Sequence, residues 1–549
     1  MIVGVLLSLI FKKVSYVKKL PLGIQSFKEI ASQDYIYIDK TQYIYQLLND
    51  ARYYFLSRPR RFGKSLLLDT INAVFEGDKH LFKGLRIYDS DYNFESHPVL
   101  KLDLSNISNE SPDALKESLL SALKKRVRIE KLDIDERIPS DLFKHLIEDL
   151  YIKYGRTVVV LIDEYDKPIL DHLGNIKVAE ANRQILRSFY GILKSMDSYL
   201  RFVFITGVSK FIKTSIFSEL NNLADITLTK KYANICGVAT DDFNQYFCEH
   251  INYLSGLDDF KPIENIHERI LSWYDGYSWD GRTKVLNPFS LLNFFMQERF
   301  SSFWYSSGTP KFLMDIIKNN PGAYMNLKNL EITELTLDTA DINQISIEPL
   351  LFQTGYLTIK KVITTDAAPV YLLDLPNFEV REAFNLHVIA SLTESGDVRT
   401  GQAQIAIKKA LQNGDLQKIR DILKSLFASI PYQLHIDREA YYHSIFYAVM
   451  NILGFDIDVE TSVSKGRIDA VLMLNDKIYI MEFKYADCTP DLVEDKKKAV
   501  VDDLLTKAMD QIKKREYAAK YIGSGKIVYL AAFVFSGRDE IEMEVQFIK

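Results

Sequence analysis

The chain of 549 residues contains little cysteine and no long apolar run. Its three cysteines form no CxxC pair and have no zinc-ligand spacing to the nine histidines, which argues against a disulfide framework and a structural zinc site. The apolar stretch at the N-terminus is about ten residues long, too short to cross a bilayer, and lacks the flanking features of an export signal. We therefore expect a cytoplasmic protein without stable membrane association.

The sequence also lacks an excess of charge of one sign, because its formal net charge is only -5. Phosphate binding needs clustered lysine and arginine, so any contact with nucleic acid must come from local basic patches. The 24 glycines and 15 prolines are too few for long disordered tracts. A chain of this length and ordinary composition is expected to form roughly two to four domains, each with its own core.

Short apolar runs alternate with longer amphipathic ones from residue 20 to 230, a pattern typical of a parallel sheet covered by helices. The run TVVVLIDEYD is apolar without alternation, as expected for a central strand buried on both faces. The pattern predicts strands at Tyr53–Leu56, Val99–Leu104, Thr157–Ile162, Arg201–Thr206 and, less clearly, Ile226–Leu228.

The segment RPRRFGKS, residues 58–65, follows the first of these strands and leads into a predicted helix. In a phosphate-binding loop, backbone N–H groups cradle phosphate oxygens, a lysine reaches the β and γ phosphates, and a hydroxyl ligates magnesium. Gly63, Lys64 and Ser65 can supply these roles, whereas Arg58 stands where the general motif GxxxxGK[ST] has a glycine. Taken alone, the segment is equally consistent with a basic surface turn.

A second element supports the nucleotide site. Asp163 and Glu164 end the aliphatic strand at the edge where an open parallel sheet binds its ligands. Asp163 is expected to hold magnesium through water, and Glu164 to orient and deprotonate an attacking water. A solvated turn is the alternative for this acidic pair. Thr206, at the end of the next strand, is a candidate sensor of the γ phosphate, although an ordinary strand-terminal threonine explains it equally well.

A second candidate site lies in GRIDAVLMLNDKIYIMEFKY. Because side chains alternate along a strand, Glu482 and Lys484 share one face and Phe483 lies on the other. A hairpin after the preceding strand would bring Asp469 beside them. Two carboxylates are suitable ligands for Mg²⁺, or for Mn²⁺, and a lysine can position the water that attacks a phosphodiester. The ExK pattern alone is common, however, and usually marks a solvated strand edge.

The order of the segments LPLGIQSFKEI, YIYIDKT, FLSRPRRFGKSLLL, VLIDEYDKPI, ITGVSKF and FSELNNLADIT resembles a bacterial family of AAA-type ATPase-like proteins with a C-terminal nuclease-like domain of the PD-(D/E)XK superfamily. The resemblance covers nearly the whole chain after residue 19, and RPRRFGKS is the family's own form of the loop. It implies that ATP and Mg²⁺ bind at residues 58–65. In this variant loop Pro59 is expected to stiffen the entry, and Arg58, Arg60 or Arg61 to add positive charge near the phosphates, with Phe62 completing the binding segment.

The same resemblance implies roles for residues of the C-terminal part. Asp469 and Glu482 correspond to metal ligands, Lys484 to the catalytic lysine, Glu439 to a metal-supporting glutamate on a preceding helix, and Gln511 to a glutamine on a following helix. The implied function is an ATP-hydrolysing switch coupled to a metal-dependent nuclease that acts on DNA or RNA, and the chain could form a homo-oligomer. The alternative is a nucleotide-gated nucleic-acid-binding or regulatory protein whose nuclease-like domain is inactive.

The expected fold class is α/β, with a P-loop NTPase domain of parallel sheet and flanking helices at the N-terminus and a nuclease-like α/β domain at the C-terminus. The three tryptophans between these domains are more typical of a core or a domain interface than of stacking on bases. The expected boundaries are an N-terminal extension at 1–19, the ATPase domain at 20–235, a helical tryptophan-rich region at 236–345, a winged-helix-like or linker region at 346–430 and the nuclease-like domain at 431–549.

Overall fold

The computed structural model describes the chain in two compact units. The first comprises the described residues within Met1–Gly308 and Asn329–Asn377, and the second those within Phe378–Lys549. For some residues of the second unit, including 457–463 and 466–469, only the backbone is described. The described residues are 17–210, 216–217, 220, 222–304, 330–338, 347–364, 366, 368–384, 396–428, 457–463, 466–474, 476–486, 494–514, 518, 521, 525–536 and 540–548.

A five-stranded parallel sheet forms the centre of the first unit, with the strand order β2-β3-β4-β1-β5. Every residue of β1 and β3 is buried, as expected for strands covered on both faces. The α/β fold class and its first four strands are confirmed. The strands are β1 at Tyr53–Ser57, β2 at Val99–Asp103, β3 at Val158–Asp163, β4 at Leu200–Gly207 and β5 at Ala224–Asp225.

The fifth strand differs from the prediction of Ile226–Leu228. Ile226 is buried and donates its N–H to the Phe55 carbonyl at 3.0 Å, but it belongs to the core and not to the strand. The chain turns directly afterwards, because the N–H of Thr229 bonds to the Ile226 carbonyl at 3.3 Å. Ile226 thus packs against the edge of the sheet, and the chain turns where the sequence pattern predicted a strand.

Helices flank this sheet, and their apolar spacing explains how they pack. In α4, Leu115, Leu119, Leu123 and Val127 recur every fourth residue and form its buried stripe. The helices are α1 at Phe27–Ser32, α2 at Thr41–Asp50, α3 at Lys64–Glu76, α4 at Pro112–Glu130, α5 at Pro139–Tyr154, α6 at Lys167–Leu170 and α7 at Ile176–Ser195. Short 3-10 helices lie at Lys79–Phe82, Arg86–Asp89, Leu104–Asn106, Asp197–Tyr199, Lys230–Tyr232 and Asp258–Phe260.

The rest of the first unit is mainly helical and holds the three tryptophans. Two short strands, β6 at Val238–Ala239 and β7 at Val285–Leu286, pair antiparallel. The helices here are α8 at Thr240–Tyr246, α9 at Cys248–Ser255, α10 at Ile266–Tyr274 and α11 at Pro288–Gln297. An antiparallel sheet of order β8-β10-β9 completes the unit, with β8 at Leu330–Thr333, α12 at Glu334–Asp338, α13 at Ile347–Thr354, β9 at Thr358–Ile363 and β10 at Val370–Asp374.

The region predicted as 346–430 is divided between the two units. Its strands β9 and β10 belong to the first unit, whereas α14 at Gly396–Asn413 and α15 at Leu416–Ala428 belong to the second. Among the residues that the structure describes, no helix has the length and apolarity needed to cross a membrane.

The second unit is built on a five-stranded mixed sheet of order β11-β12-β13-β14-β15. β13 and β14 are parallel, and the other neighbouring strands are antiparallel. Helix α16 connects β13 to β14 and packs Ala508, Met509 and Ile512 on the sheet's apolar core. The strands predicted to carry Asp469 and Glu482 and the helix predicted to carry Gln511 are present, whereas the helix predicted around Glu439 lies outside the described residues. Strand β15 was not predicted. The elements are β11 at Ile457–Val463, β12 at Gly466–Met473, β13 at Lys477–Tyr485, α16 at Glu494–Lys514, β14 at Ile527–Phe535 and β15 at Ile541–Ile548.

Candidate functional site

The segment between β1 and α3 forms a tight loop at the carboxyl edge of the parallel sheet. Arg61 and Gly63 have positive φ angles of 71° and 89° in this loop. A Cβ atom on Gly63 would meet nothing within 4 Å, so glycine is favoured here by the backbone conformation and not by lack of space. Because α3 begins at Lys64, the free N–H groups of its first turn face the loop.

The Lys64 side chain is buried between this loop and the end of β3. Its Nζ atom donates to the carbonyl oxygens of Arg58 at 3.1 Å and Pro59 at 3.2 Å. The same atom lies 3.3 Å from Oε1 of Glu164. The loop therefore wraps around the ammonium group, and the predicted lysine and the predicted general base are brought into contact.

Three neutral donors orient the carboxylate of Asp163 at the end of β3. Ser65 Oγ donates to Oδ2 at 2.6 Å, and Thr206 Oγ1 donates to Oδ1 at 2.5 Å. The backbone N–H of Glu164 donates to Oδ1 at 3.0 Å. The two predicted magnesium ligands, Ser65 and Asp163, are thus in direct contact. Thr206 is fully buried, and its hydroxyl is directed at Asp163.

The side chains of Lys64, Ser65, Asp163 and Glu164 line a cavity of about 450 Å³. Sequence reasoning missed several of its lining residues, among them Asp103 at the end of β2, which is paired in register with Asp163. Open parallel sheets bind ligands at the carboxyl ends of their strands, and this rule, which identified Asp163, could have identified Asp103 as well. The predicted residues that line the cavity are Arg60, Arg61, Gly63, Lys64, Ser65, Asp163 and Glu164, and those not predicted include Asp103, Ser105, Lys167 and Asp171.

A smaller cavity of about 110 Å³ adjoins the first and shares Pro21, Gly63, Leu66, Pro288 and Leu292 with it. Its lining is mainly apolar, and Phe62 of the loop belongs to it. Lys40 also lines it, and burial lowers the pKa of this lysine although its Nζ donates to Asp242. Other lining residues are Ile36, Tyr37, Ile235, Cys236, Val238 and Phe247.

Arg58 corrects one expectation, because its charge does not face the cavity. The side chain is completely buried, and its Nη1 donates to the carbonyl oxygens of Ser57 and Thr227, both at 2.9 Å. The guanidinium carbon lies 4.0 Å from the ring centroid of Trp279. Burial lowers the pKa of Arg58 to about 10, which leaves it charged at neutral pH. Arg58 therefore fixes the loop from within the core.

The tryptophan-rich region supports the same loop. Trp279 packs edge-on against Phe62, with ring centroids 5.3 Å apart. Trp304 Nε1 donates to the Arg60 carbonyl at 3.2 Å. Pro59 is closely packed as well, since a Cβ atom on Gly355 would lie 2.9 Å from it. All three tryptophans are buried, which confirms their prediction as core residues.

Asp166 is a buried carboxylate that sequence reasoning did not single out. It accepts hydrogen bonds from the N–H of Val208 at 3.1 Å and from the N–H and Oγ of Ser209, both at 2.5 Å. A Cβ atom on Gly207 would lie 2.6 Å from its Oδ1, so glycine is required at this close approach. Burial, reinforced by the nearby charge of Glu164, raises the pKa of Asp166 to about 6. This carboxylate ties the end of β3 to the end of β4.

In the second unit, the structure brings Glu482, Lys484 and Gln511 together. Oε1 of the fully buried Glu482 accepts hydrogen bonds from Lys484 Nζ at 3.1 Å and from Gln511 Nε2. Lys484 retains a partly exposed side chain, at 23%. Phe483 packs on Phe533, with ring centroids 5.5 Å apart, so it belongs to the apolar packing while its two neighbours meet.

The other two predicted residues of this site are described only in part. The antiparallel register pairs Ala470 with Met481, so the next position along the two strands places the backbone of Asp469 opposite Glu482. Glu439 lies outside the described residues. Within the part of the chain that the structure describes, no group of three or more His, Cys, Asp or Glu side chains is arranged to hold a metal ion.

Comparisons with known proteins agree with this two-part organisation. Residues 21–217 match a family model described as a predicted AAA-ATPase, and residues 437–544 match one of the PD-(D/E)XK nuclease superfamily. Over 528 residues the chain is 36% identical to "Uncharacterized protein in vnfD 5'region" of Azotobacter chroococcum mcd 1, with 94% of this chain and 96% of that protein covered.

Among solved structures, the Aeropyrum pernix ORC2 protein in its ADPNP-ADP complexes matches with 13% identity and a TM-score of 0.27, covering 66% of this chain and 98% of that one. A match this distant carries no argument about the chain. The family is established by the two family models and by the relative that matches over 96% of its own length. The chain belongs to the family of predicted AAA-ATPases that carry a C-terminal domain of the PD-(D/E)XK nuclease superfamily.

Proposed function

We propose that this protein is a cytoplasmic ATP-hydrolysing switch whose nucleotide state controls a metal-dependent nuclease acting on DNA or RNA. The observation that carries the ATPase part is the convergence of Lys64, Ser65 and Asp163 at one edge of the sheet, with Glu164 beside Lys64. Each of these side chains lines the same cavity. The family membership supports the pairing of the two activities in one chain.

The residues present fit a magnesium nucleotide. Mg²⁺ commonly keeps several waters and takes only one or two protein ligands besides phosphate oxygens. Ser65 Oγ and the Asp163 carboxylate offer hard oxygen donors, and the neutral hydrogen bonds to Asp163 leave its negative charge available. Ser65 would hold the ion directly and Asp163 through water. The ion would supply charge neutralisation to the β and γ phosphates.

The two adjoining cavities suggest how the nucleotide lies. The larger one holds the phosphates, because Lys64, Arg60 and Arg61 line it together with the loop amides. The smaller one suits the adenine base, because it is mainly apolar and begins beside Gly63. Pro59 and Phe62 contribute by shaping the loop, and Arg58 by locking it from the core. Glu164 would accept the proton of the attacking water, and Thr206 would keep Asp163 oriented.

For the C-terminal unit we propose that Asp469 and Glu482 are the metal ligands, that Lys484 positions the attacking water and that Gln511 orients Glu482. The contact of Lys484 and Gln511 with Glu482 supports this assignment, as does the register that places Asp469 opposite Glu482. Glu439 is proposed as a supporting carboxylate from its place in the sequence. Mg²⁺ is the expected metal, with Mn²⁺ as a substitute.

A second candidate function is favoured by the burial of Glu482. This carboxylate is fully buried and already bonded to an ammonium group. A metal ion would have to compete with Lys484 for it. The C-terminal unit could therefore bind nucleic acid or regulate a partner without cutting.

The ATPase proposal is tested by nucleotide binding and hydrolysis in the full-length chain. We expect Lys64→Ala to abolish ATP binding and Glu164→Gln to preserve binding while lowering hydrolysis about 100-fold or more. Lys83→Ala, on an exposed lysine away from the cavity, is the matched control and is expected to behave as wild type. Equal nucleotide binding by Lys64→Ala and wild type would contradict the proposal.

The nuclease proposal needs plasmid, single-stranded DNA and RNA as substrates, with Mg²⁺ or Mn²⁺ and with or without ATP. Cleavage that is lost in Asp469→Ala, Glu482→Gln and Lys484→Ala but kept in Glu494→Gln supports catalysis, since Glu494 is an exposed residue of α16. Nucleic acid that is bound but not cut by wild type supports the second candidate. Light scattering with and without ATP measures whether nucleotide state acts through a homo-oligomer.

A further inference from the structure

Lys167 is a lysine of the large cavity that belongs to a different element from the phosphate loop. It begins α6, three residues after Glu164, and its N–H donates to the Glu164 carbonyl at 3.1 Å. Its Nζ atom forms an ion pair with Oδ2 of Asp171 at 2.5 Å, and both residues line the cavity. The proposed general base and this ammonium group therefore lie on the same turn of the chain.

The carboxylate of Asp171 is held in place independently of Lys167. Asn109 Nδ2 donates to its Oδ2 at 3.1 Å, and the Asn109 side-chain oxygen contacts His172 Nε2 at 3.0 Å. The fully buried Asn182 donates to the carbonyl oxygens of Asn109 at 3.1 Å and Pro168 at 2.9 Å. The hydrogen bonds around Asn109 thus fix the position of Asp171. Lys167, in contrast, has a long side chain that is 27% exposed.

The distribution of charge around the cavity gives Lys167 a distinct position. Among the described lining residues, the other cations, Arg60, Arg61 and Lys64, come from the phosphate loop. Lys167 begins α6, the helix that follows β3 and the acidic pair Asp163 and Glu164. In phosphoryl transfer, a cation from outside the phosphate loop can stabilise the charge on the γ-phosphoryl oxygens in the transition state.

We propose that Lys167 is a catalytic residue of the ATPase site, which contacts the γ phosphate of ATP by exchanging its ion pair with Asp171 for the phosphate oxygens. This inference rests on the proposed ATP hydrolysis and adds a residue to it. Asp171 then acts as the resting partner that holds the ammonium group when the cavity contains a diphosphate. Lys167 makes the site respond to the third phosphate, which is the difference that a nucleotide switch must detect.

In the proposed hydrolysis of ATP, no bond is formed or broken at Lys167. The water oxygen bonds to the γ phosphorus, and the bond from that phosphorus to the β–γ bridging oxygen breaks. Its electron pair remains on ADP, and a proton of the water passes to Glu164. The Lys167 ammonium stays protonated throughout and offsets the negative charge of the γ-phosphoryl oxygens.

The test compares Lys167→Ala and Lys167→Arg with Lys177→Ala, a control on an exposed lysine of α7. ATP and ADP are the probes, and both affinities are measured beside kcat and KM in the full-length protein. We expect Lys167→Ala to lower kcat for ATP hydrolysis by about 10- to 1000-fold. We also expect it to weaken ATP binding more than ADP binding, and Lys167→Arg to restore part of both. Thermal unfolding checks that the variants fold.

A double-mutant cycle with Asp171→Asn separates catalysis from a structural role. Asparagine can still accept the hydrogen bond from Asn109, but it no longer holds the ammonium group. If Lys167 moves between Asp171 and the γ phosphate, Asp171→Asn should raise the ATP-to-ADP affinity ratio in the wild-type background and leave it unchanged in the Lys167→Ala background. Equal effects in the two backgrounds would overturn the exchange.

The outcomes also distinguish this inference from the proposed function. A wild-type protein that neither binds nor hydrolyses ATP would overturn both. If wild type hydrolyses ATP and Lys167→Ala matches Lys177→Ala, only the inference fails. For a wild type that binds ATP without turnover, the ATP-to-ADP affinity ratio decides, and an unchanged ratio in Lys167→Ala overturns the inference.

Discussion

The two candidate sites each hold a buried carboxylate, Asp163 and Glu482, in different ways. In the ATPase unit, Arg58 is bonded to backbone carbonyls and stacked on Trp279, and the Asp163 carboxylate is oriented by two hydroxyls and one amide. In the nuclease-like unit, the Glu482 carboxylate is bonded to the ammonium of Lys484 and to Gln511. Arg58 and Asp163 thus rely on neutral partners, although Lys64 of the same site is paired with Glu164, whereas Glu482 relies on an ion pair.

Neutral partners and charged partners have different consequences for a ligand. A neutral hydrogen bond fixes the position of a charge without cancelling it, whereas an ion pair fixes the position and also offsets the charge. The Asp163 carboxylate can therefore attract a cation without losing a partner of opposite charge. A cation that approaches Glu482 has to displace or share with Lys484. We therefore expect that the binding of a magnesium nucleotide rearranges the partners of Asp163 less than the binding of a metal in the C-terminal unit rearranges those of Glu482.

The largest effect is expected from removing Arg58, a completely buried cation of the ATPase unit. Arg58→Ala leaves a cavity against Trp279 and removes the donor to the Ser57 and Thr227 carbonyls. We expect it to lower the free energy of unfolding by about 3–5 kcal/mol. Urea unfolding followed by tryptophan fluorescence measures this, since Trp279 reports on the loop directly.

Arg60→Ala is the matched control for this prediction. Arg60 is two residues away in the same loop, is partly exposed and lines the cavity. A substitution there is expected to change the free energy of unfolding by about 0.5 kcal/mol or less, although it should weaken ATP binding. Similar losses of stability for the two variants would contradict a structural role that is specific to Arg58.

These residues also show what the sequence could and could not predict. Lys64, Ser65, Asp163 and Glu164 were recognised because their signals are local, a loop after one strand and an acidic pair at the end of another. The burial of Arg58 depends on Thr227, which is 169 residues further along the chain. No local pattern contains that contact, so the sequence alone suggested that an arginine in a phosphate loop faces the phosphate.

The C-terminal unit shows the same limit in a different form. Strand alternation predicted that Glu482 and Lys484 meet, and Gln511 was placed through the family pattern. The full burial of Glu482 was not predictable, because it results from the packing of α16 over the sheet. Strand β15 was not predicted, although the alternation of Glu542, Glu544 and Gln546 with apolar residues is the local pattern of a half-exposed edge strand.

The ion pair of the C-terminal unit is expected to give the next largest effect. Lys484→Met removes the cation beside a fully buried carboxylate, but the partial exposure of Lys484 reduces the cost. We expect the free energy of unfolding to fall by about 1–3 kcal/mol. Denaturant titration measures the loss, and Lys513→Met, on an exposed lysine of α16, is the control.

A divalent ion sharpens this prediction. If Mn²⁺ binds at Glu482, it should stabilise Lys484→Met more than wild type, because no ammonium group competes for the carboxylate. The measurement is the shift of the unfolding midpoint with added Mn²⁺ in both proteins. An equal shift would indicate that the metal does not meet the Lys484 and Glu482 pair.

A smaller effect is expected from removing one neutral donor to Asp163. Thr206→Val keeps the shape of the side chain but deletes the hydroxyl that donates to Oδ1 at 2.5 Å. Since Ser65 and the Glu164 amide still hold the carboxylate, we expect ATP hydrolysis to fall about tenfold with little change in ATP affinity, a barrier increase of about 1.4 kcal/mol. A loss of binding equal to the loss of rate would show that Thr206 contacts the nucleotide itself.

The smallest expected effect is a pH dependence at Asp166, the carboxylate that neutral donors hold at the end of β3. Its pKa in the folded protein is about 6, above the ordinary value of 3.8 that applies when the chain is unfolded. The folded state therefore binds the proton more tightly, and the contribution of Asp166 to stability rises as pH falls and is lost as pH rises through 6. As pH falls from 7 to 5, this contribution should grow by about 1 kcal/mol.

The variant Asp166→Asn tests this pH dependence because asparagine cannot take up the proton. The free energy of unfolding of wild type minus that of the variant should therefore increase by the same amount as pH falls from 7 to 5. A difference that stays constant, or decreases, would show that the hydrogen bonds from Val208 and Ser209 stabilise the charged carboxylate enough to cancel the effect of burial.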